Sequence, residues 1–202
     1  MIKGALIEAV QFEINKQGQT QDSLKQSHPK DIEYQISLAY SSMLKQYFAD
    51  PRNLMTTDFD FYSKKYTLPV AQDSAIPALR HVTLTALPFE LPDGMGVRSV
   101  RPLGGYISLD RTTEDAMDTY RLLEVFRTGD GMYYLSGPMI FLVYTSAKMK
   151  LISSVVVKMI PHFEDLAMTD NIEFPMGEAE AIKTVLQLVG IRPTDSVNDD
   201  VK

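Results

Sequence analysis

The sequence predicts an α+β protein: an N-terminal helical hairpin, a small, mostly antiparallel β-sheet with long extended arms, one inserted helix and a C-terminal helix. Three observations carry this expectation. Apolar residues recur at helical spacing near both ends of the chain. In the middle they alternate with the period of a strand. Between these stretches, prolines and glycines break up segments that stay extended. The expected boundaries are a helical hairpin over 1–50, a β-rich domain with inserted and closing helices over 51–190, and a disordered tail over 191–202. A chain of 202 residues suits one domain, or one domain with a helical extension.

Residues 2–17 predict the first helix. Ile2, Leu6, Ala9 and Val10 form a stripe, with Ile7 and Ile14 beside it, and Gly18 ends it. Residues 18–29 are polar and rich in glutamine, the composition of a loop. Residues 30–49 give the clearest helix. Pro29 suits its start, Ile32, Ile36, Ala39, Tyr40, Met43 and Tyr47 recur at helical spacing, and Asp50-Pro51 stops it. A polar loop between two amphipathic helices predicts an antiparallel pair.

Residues 57–72 alternate, with Asp58, Asp60, Tyr62 and Lys64 on one side and Phe59, Phe61 and Ser63 on the other. This predicts a strand or extended arm whose pairing Pro69 limits. Residues 80–87 alternate more cleanly and predict a strand. In the segment 87–100, Pro88 and Pro92 remove backbone donors, so no central strand can form there; Asp93-Gly94 supplies a turn, and Val97 restarts an extended run. Residues 103–109 predict a short strand, and 112–127 the inserted helix, with acids in its first turn. Residues 132–135 and 139–144, joined at Ser136-Gly137-Pro138, predict a hairpin. Residues 149–160 predict a third strand of the same meander, ended by Pro161. Residues 177–189 predict the closing helix, with Ala181, Ile182, Val185, Leu186 and Val189 on its apolar face and Gly190 as its stop.

Composition narrows the function classes. Hydrophobic residues make up 45% of the chain, enough for a substantial core. No apolar run approaches the ~20 residues of a membrane helix, and the N-terminus, with Glu8 and Glu13, lacks the pattern of a signal peptide. Cysteine is absent, which removes disulfides, thiolate nucleophiles and cysteine-type zinc sites and fits a reducing cytoplasm. The net charge is −6, and no basic run marks a nucleic-acid binder.

The residues that carry chemistry elsewhere have simpler readings here. Asp58-x-Asp60 lacks the rest of a metal loop and reads as a solvated strand face. Gly94-x-Gly96 and Gly104-Gly105 have no following Lys-Ser/Thr and read as turn glycines. Glu164, Asp165, Asp170 and Glu173 crowd the connection between Pro161 and Pro175, yet nothing pairs them for acid–base work. His162 lacks a partner at a recognisable spacing, and Ser136 lacks a nucleophile-elbow frame. The expectation is a protein without enzymatic activity, cofactor or metal, whose surface is its function. Two features point to assembly. Tyr34, Tyr40 and Tyr47 are expected on the exposed side of the helical pair, and the proline-broken segments 50–72 and 87–103 can reach a neighbour as arms. Candidate intersubunit contacts are Tyr40, Met43, Tyr47, Phe89, Leu91 and Met95.

The order of four short segments resembles the virion neck proteins of short-tailed, crAss-like bacteriophages. They are Lys45-Gln46-Tyr47-Phe48 at the end of the helical pair; Leu91-Pro92-Asp93-Gly94-Met95-Gly96-Val97 leading to Pro102; Tyr133-Tyr134-Leu135-Ser136-Gly137; and Ile172-Glu173-Phe174-Pro175 before the last helix. The resemblance implies a head–tail connector, a ring or adaptor below the portal. Such a protein would be assembled in the host cytoplasm, would contact portal and tail or other neck proteins, and would surround a channel through which double-stranded DNA passes without specific binding. Twelve-membered rings are typical of such proteins; twelve copies of this 22.7 kDa chain total about 272 kDa in a closed heterologous ring. Alternatives are a tail-completion or capsid accessory protein, a small hydrolase using the acids of the 162–173 loop, and an adaptor that adds a peptide strand along the 87–103 edge.

Overall fold

The computed structural model describes residues 1–18, 29–54, 59–72, 80–91, 96–106, 108–116, 131–144, 151–175 and 177–188. The chain divides into two units. Unit 1 contains Met1–Tyr62 and His162–Lys202, and unit 2 is the intervening Ser63–Pro161.

Unit 1 is helical. Helices α1 (Lys3–Gly18) and α2 (Pro29–Phe48) fall where the apolar spacing places them, and two single-turn helices follow, α3 (Pro51–Leu54) and α4 (Phe59–Tyr62). The closing helix α5 (Glu178–Leu188) packs on both α1 and α2. Leu6, Val10 and Ile14 of α1, Ile32, Ile36, Leu44 and Phe48 of α2, and Ala181 and Val185 of α5 make the buried core. Ile2, expected in the α1 stripe, is exposed and instead bridges to Asn171. The closing helix was expected with the β-rich domain. It lies in unit 1 because its three buried residues match the apolar faces of α1 and α2.

Residues 59–62 are helical where alternation predicted a strand. The reason is aromatic packing: Phe59 and Tyr62 both approach the Phe48 ring, at centroid distances of 5.9 and 5.7 Å. Residues three apart share a side of a helical turn but take opposite faces of a strand. Tyr47 joins the same group, 5.1 Å from Phe48 and 5.9 Å from Tyr62.

Unit 2 holds two sheets around one core. The first has the order β1 (Lys64–Pro69), β8 (Ser154–Met159), β4 (Val97–Pro102), with both pairings antiparallel. The second has the order β2 (Ala71–Gln72), β3 (Arg80–Thr83), β7 (Met139–Tyr144), β6 (Gly131–Ser136), β5 (Asp110–Arg111). Only the short β5–β6 pair is parallel. Leu68, Val100, Val155 and Val157 from the first sheet meet Val82, Ile140, Leu142 and Tyr133 from the second.

The β6–β7 hairpin forms as expected, with Ser136 paired to Met139 across Gly137-Pro138. Gly137 adopts φ 57°, the positive value that the first position of a tight II′ turn requires. Strand β8, expected beside β7, lies in the other sheet. β7 has no edge to offer, because β3 and β6 occupy both of its sides. Residues 103–109 do not form the expected strand. The Gly105 amide donates to the Pro102 carbonyl at 2.9 Å, the chain turns back, and Leu109 N–H reaches the Val100 carbonyl at 2.8 Å. Of the inserted helix expected over 112–127, residues 114–116 are helical and the remainder lies outside the described residues, as does the tail.

Candidate functional site

The residues expected at an intersubunit surface are placed differently by the fold. Tyr40 and Met43 are buried in the core of unit 1. Tyr40 packs edge-on against Phe174, with ring centroids 5.5 Å apart, and lies 5.6 Å from Phe163. Tyr47 is half-buried in the Phe48 group. Of the three tyrosines expected on the outside, only Tyr34 is exposed, at 55%. Helical phase explains this: Ile36, Tyr40, Met43 and Leu44 share one side of α2, and Tyr34 and Leu38 the other. Phe89 and Leu91 are buried within unit 2, so that part of the arm covers its own core. Met95 lies outside the described residues.

Burial also raises the ionisation of the Tyr40 hydroxyl far above a tyrosine's ordinary pKa, with a smaller upward push from Tyr62. Burial raises Tyr133 too, against an opposing pull from Arg111. The folded forms therefore hold these protons more tightly than the unfolded chain. Their contribution is complete below pH ~10 and is lost as pH climbs from there through the raised folded values. Alkaline titration of thermal stability should show a fall beginning near pH ~10, and Tyr40→Phe should make that fall shallower. An unchanged alkaline limb in the variant would contradict the assignment.

Two acids of the 162–173 loop, Glu164 and Asp170, hold structural contacts. Phe163–Asp165 form a 3-10 turn, Glu164 Oε1 accepts from Ser37 Oγ at 3.3 Å, and Asp170 Oδ2 accepts from the Ala167 amide at 2.7 Å. The carbonyls of this loop hold Lys3, the one buried charged side chain among the described residues. Its ammonium donates to the carbonyls of Phe163 (3.0 Å), Glu164 (3.4 Å) and Leu166 (2.9 Å). It also pairs with Glu33 at 2.6 Å and lies 4.8 Å from the centre of the Phe163 ring. The backbone continues the tie, because Lys3 and Gly4 amides donate to the Asp170 and Met168 carbonyls. Sequence reading missed this clasp, since a single lysine inside an apolar stripe looks like a surface residue.

The 87–103 edge considered for strand addition is already engaged. Leu109 N–H and Ser108 Oγ both reach the Val100 carbonyl of β4, at 2.8 and 3.4 Å. Upstream, Phe89 N–H donates to the Ile160 carbonyl at 2.7 Å, and Ile160 N–H donates to the Gly96 carbonyl at 2.9 Å.

The feature that sequence reading did not find is a basic sheet face. In the β1–β8–β4 sheet, Leu68, Val155, Val157 and Val100 point into the core. The alternate positions face outward: Lys65, Thr67 and Pro69 on β1, Ser154, Val156 and Lys158 on β8, and Ser99 and Arg101 on β4. Lys65 stands opposite Lys158, whose other neighbour is Ser99, and Arg101 stands opposite Val156. A register shift between Val97 and Ser99 leaves Arg98 exposed beside them. The three strands contain no Asp or Glu.

This face belongs to the more positive half of the chain. Unit 2 has eleven Lys and Arg against nine Asp and Glu, a net charge of +2. Unit 1 has nine against seventeen, a net charge of −8. Among the described residues, no three His, Asp or Glu side chains group as a metal site would need, and no helix is long and apolar enough to cross a membrane. Asp60 of the Asp58-x-Asp60 pair is exposed on α4, and Asp58 lies outside the described residues. No protein-family model matches this chain, and no curated protein matches it either.

Proposed function

We propose that this chain is a virion structural protein that forms a ring in the head–tail connector of a short-tailed phage, below the portal and around the DNA channel. Its role there is architectural rather than enzymatic. The observation that carries the reading is where the four connector-like segments sit. Tyr47 and Phe48 anchor the aromatic group that turns α2 into α4. Gly96 and Val97 bring the proline-rich segment against the end of β8. Tyr133 to Gly137 make β6 and its turn. Ile172 N–H donates to the Met1 carbonyl and Phe174 packs on Tyr40 of α2, which fixes the approach to α5. The described residues of these segments direct the chain's path, which supports an architectural role. The −8 surplus of unit 1 also suits a channel past which DNA slides without adhering.

The test is the native mass of the purified protein, together with its presence in phage particles. A closed species near twelve protomers, or co-purification with portal and tail proteins, is the expected result. A protein that stays monomeric and is never found in particles would overturn the proposal.

A further inference from the structure

We infer that the exposed stripe of α2 centred on Leu38 is a docking surface, and that its occupant is the same stripe of a second copy of this chain, laid antiparallel across a two-fold axis. The inference goes beyond the ring reading and does not depend on it. A two-fold contact uses the same surface on both copies and closes at a pair, whereas a ring needs a contact between two different surfaces.

The outer side of α2 carries Asp31, Tyr34, Leu38, Ser42 and Lys45, all exposed. Positions 31, 38 and 45 repeat every seven residues and fall on one line of the helix, with 34 and 42 just to either side of it. Two of these side chains are large and apolar, and both are held out from the bundle: Tyr34 is 55% exposed and Leu38 42%. The helix dipole accounts for an acid in the first turn and a base in the last, but not for Tyr34 and Leu38 in the water between them.

The order of the stripe identifies its occupant, because it is complementary to itself when reversed. With Leu38 on the two-fold axis, each position meets the one equally far on the other side of 38. Leu38 meets Leu38, so two half-exposed apolar side chains cover each other. Tyr34 meets Ser42, a large ring against a small side chain, at two symmetric places. Asp31 meets Lys45, opposite charges, at both ends. Turned parallel, the stripe sets Tyr34 against Tyr34, Asp31 against Asp31 and Lys45 against Lys45. Lys45 already has an interaction within its own chain. The end charges therefore select the antiparallel direction, and the apolar centre holds the pair. The contact runs for about 21 Å along each helix, the rise of fourteen residues. That is the small end of specific interfaces, and the pair forms reversibly with concentration.

The test uses the absence of cysteine from the chain, since an introduced thiol then has no other thiol in its own copy to react with. Helices packed at about 8–10 Å put the two Leu38 Cα atoms about 4–6 Å apart, within disulfide range. Under mild oxidation, Leu38→Cys should give a covalent dimer at least about tenfold faster than Thr83→Cys, an exposed position in unit 2. Tyr34→Cys and Ser42→Cys should each cross-link slowly alone and rapidly when mixed. By light scattering, the unaltered chain should pair as concentration rises, and Leu38→Asp should weaken that pairing at least about tenfold. Circular dichroism checks the fold, and Tyr34→Glu replaces Leu38→Asp if that form melts. Leu38→Cys no faster than Thr83→Cys would overturn the inference. So would Tyr34→Cys that cross-links alone as fast as in the mixture, which would mean a parallel contact, or pairing unchanged by Leu38→Asp. Each of these failures leaves the ring reading to its own test in phage particles.

Discussion

Gly96→Ala is expected to destabilise unit 2 by about 3 kcal/mol or more, a large effect for a single methyl group. Gly96 is buried where the proline-rich segment returns to the sheet. A β-carbon there would fall inside the Phe89 carbonyl oxygen and 3.1 Å from its carbonyl carbon. Both obstacles are backbone, so no rotamer change relieves them. The backbone on each side is also tied: Phe89 donates to Ile160, and Ile160 donates to Gly96, across the end of β8. Relief requires opening one of these hydrogen bonds or moving Phe89, a buried ring, out of its site. The cost is therefore steric and not a matter of glycine's torsional freedom. Denaturant unfolding of the variant measures it, and a change within ~0.5 kcal/mol would show that the segment relaxes freely.

Lys3→Ala is expected to cost unit 1 about 3 kcal/mol, near the lower end for breaking a buried ion pair. The ammonium is enclosed, its side chain only 2% exposed, while Glu33 is 26% exposed and keeps some contact with water. Removing the cation takes a donor from three carbonyls of the 163–166 turn, of which Phe163 keeps only its bond from the Leu166 amide, and leaves the Glu33 carboxylate without its buried partner. The comparison with Lys3→Met separates charge from packing. Methionine keeps an apolar stem against Phe163 but satisfies no carbonyl, so it should lose most of what alanine loses. Near-full stability in Lys3→Met would show that the stem, and not the ammonium, holds the turn. Glu33→Gln should be milder, because the three carbonyl acceptors of Lys3 remain.

Both predictions concern contacts between residues far apart in sequence, and that separation decides what a sequence can reveal. The α+β class, α1, α2 and α5 were legible because helical periodicity is a local property repeated over many residues. The β6–β7 hairpin was legible because its turn chemistry, Gly137 followed by Pro138, is local too. The fate of Phe59 to Tyr62 was not, since an alternating pattern and a single helical turn differ only in which partner, here Phe48, the two rings meet. The phase of α2 was readable, but the number of elements covering it was not. Tyr40 looked like an exposed contact until Phe163 and Phe174 came to lie against it.

Composition and periodicity by themselves determined the class of fold, the helices at both ends, the hairpin, and the absence of thiol chemistry. Tertiary structure alone decided that β8 leaves the hairpin's sheet, that the closing helix joins the first two, and that Lys3 becomes a buried clasp. It also decided the candidate surface. Lys65, Arg98, Arg101 and Lys158 are spread over nearly a hundred residues of sequence, and no window of the chain looks basic. They share a face only because strand register brings β1 and β4 to either side of β8, and register is set by side chains meeting across the sheet and not by neighbours along the chain.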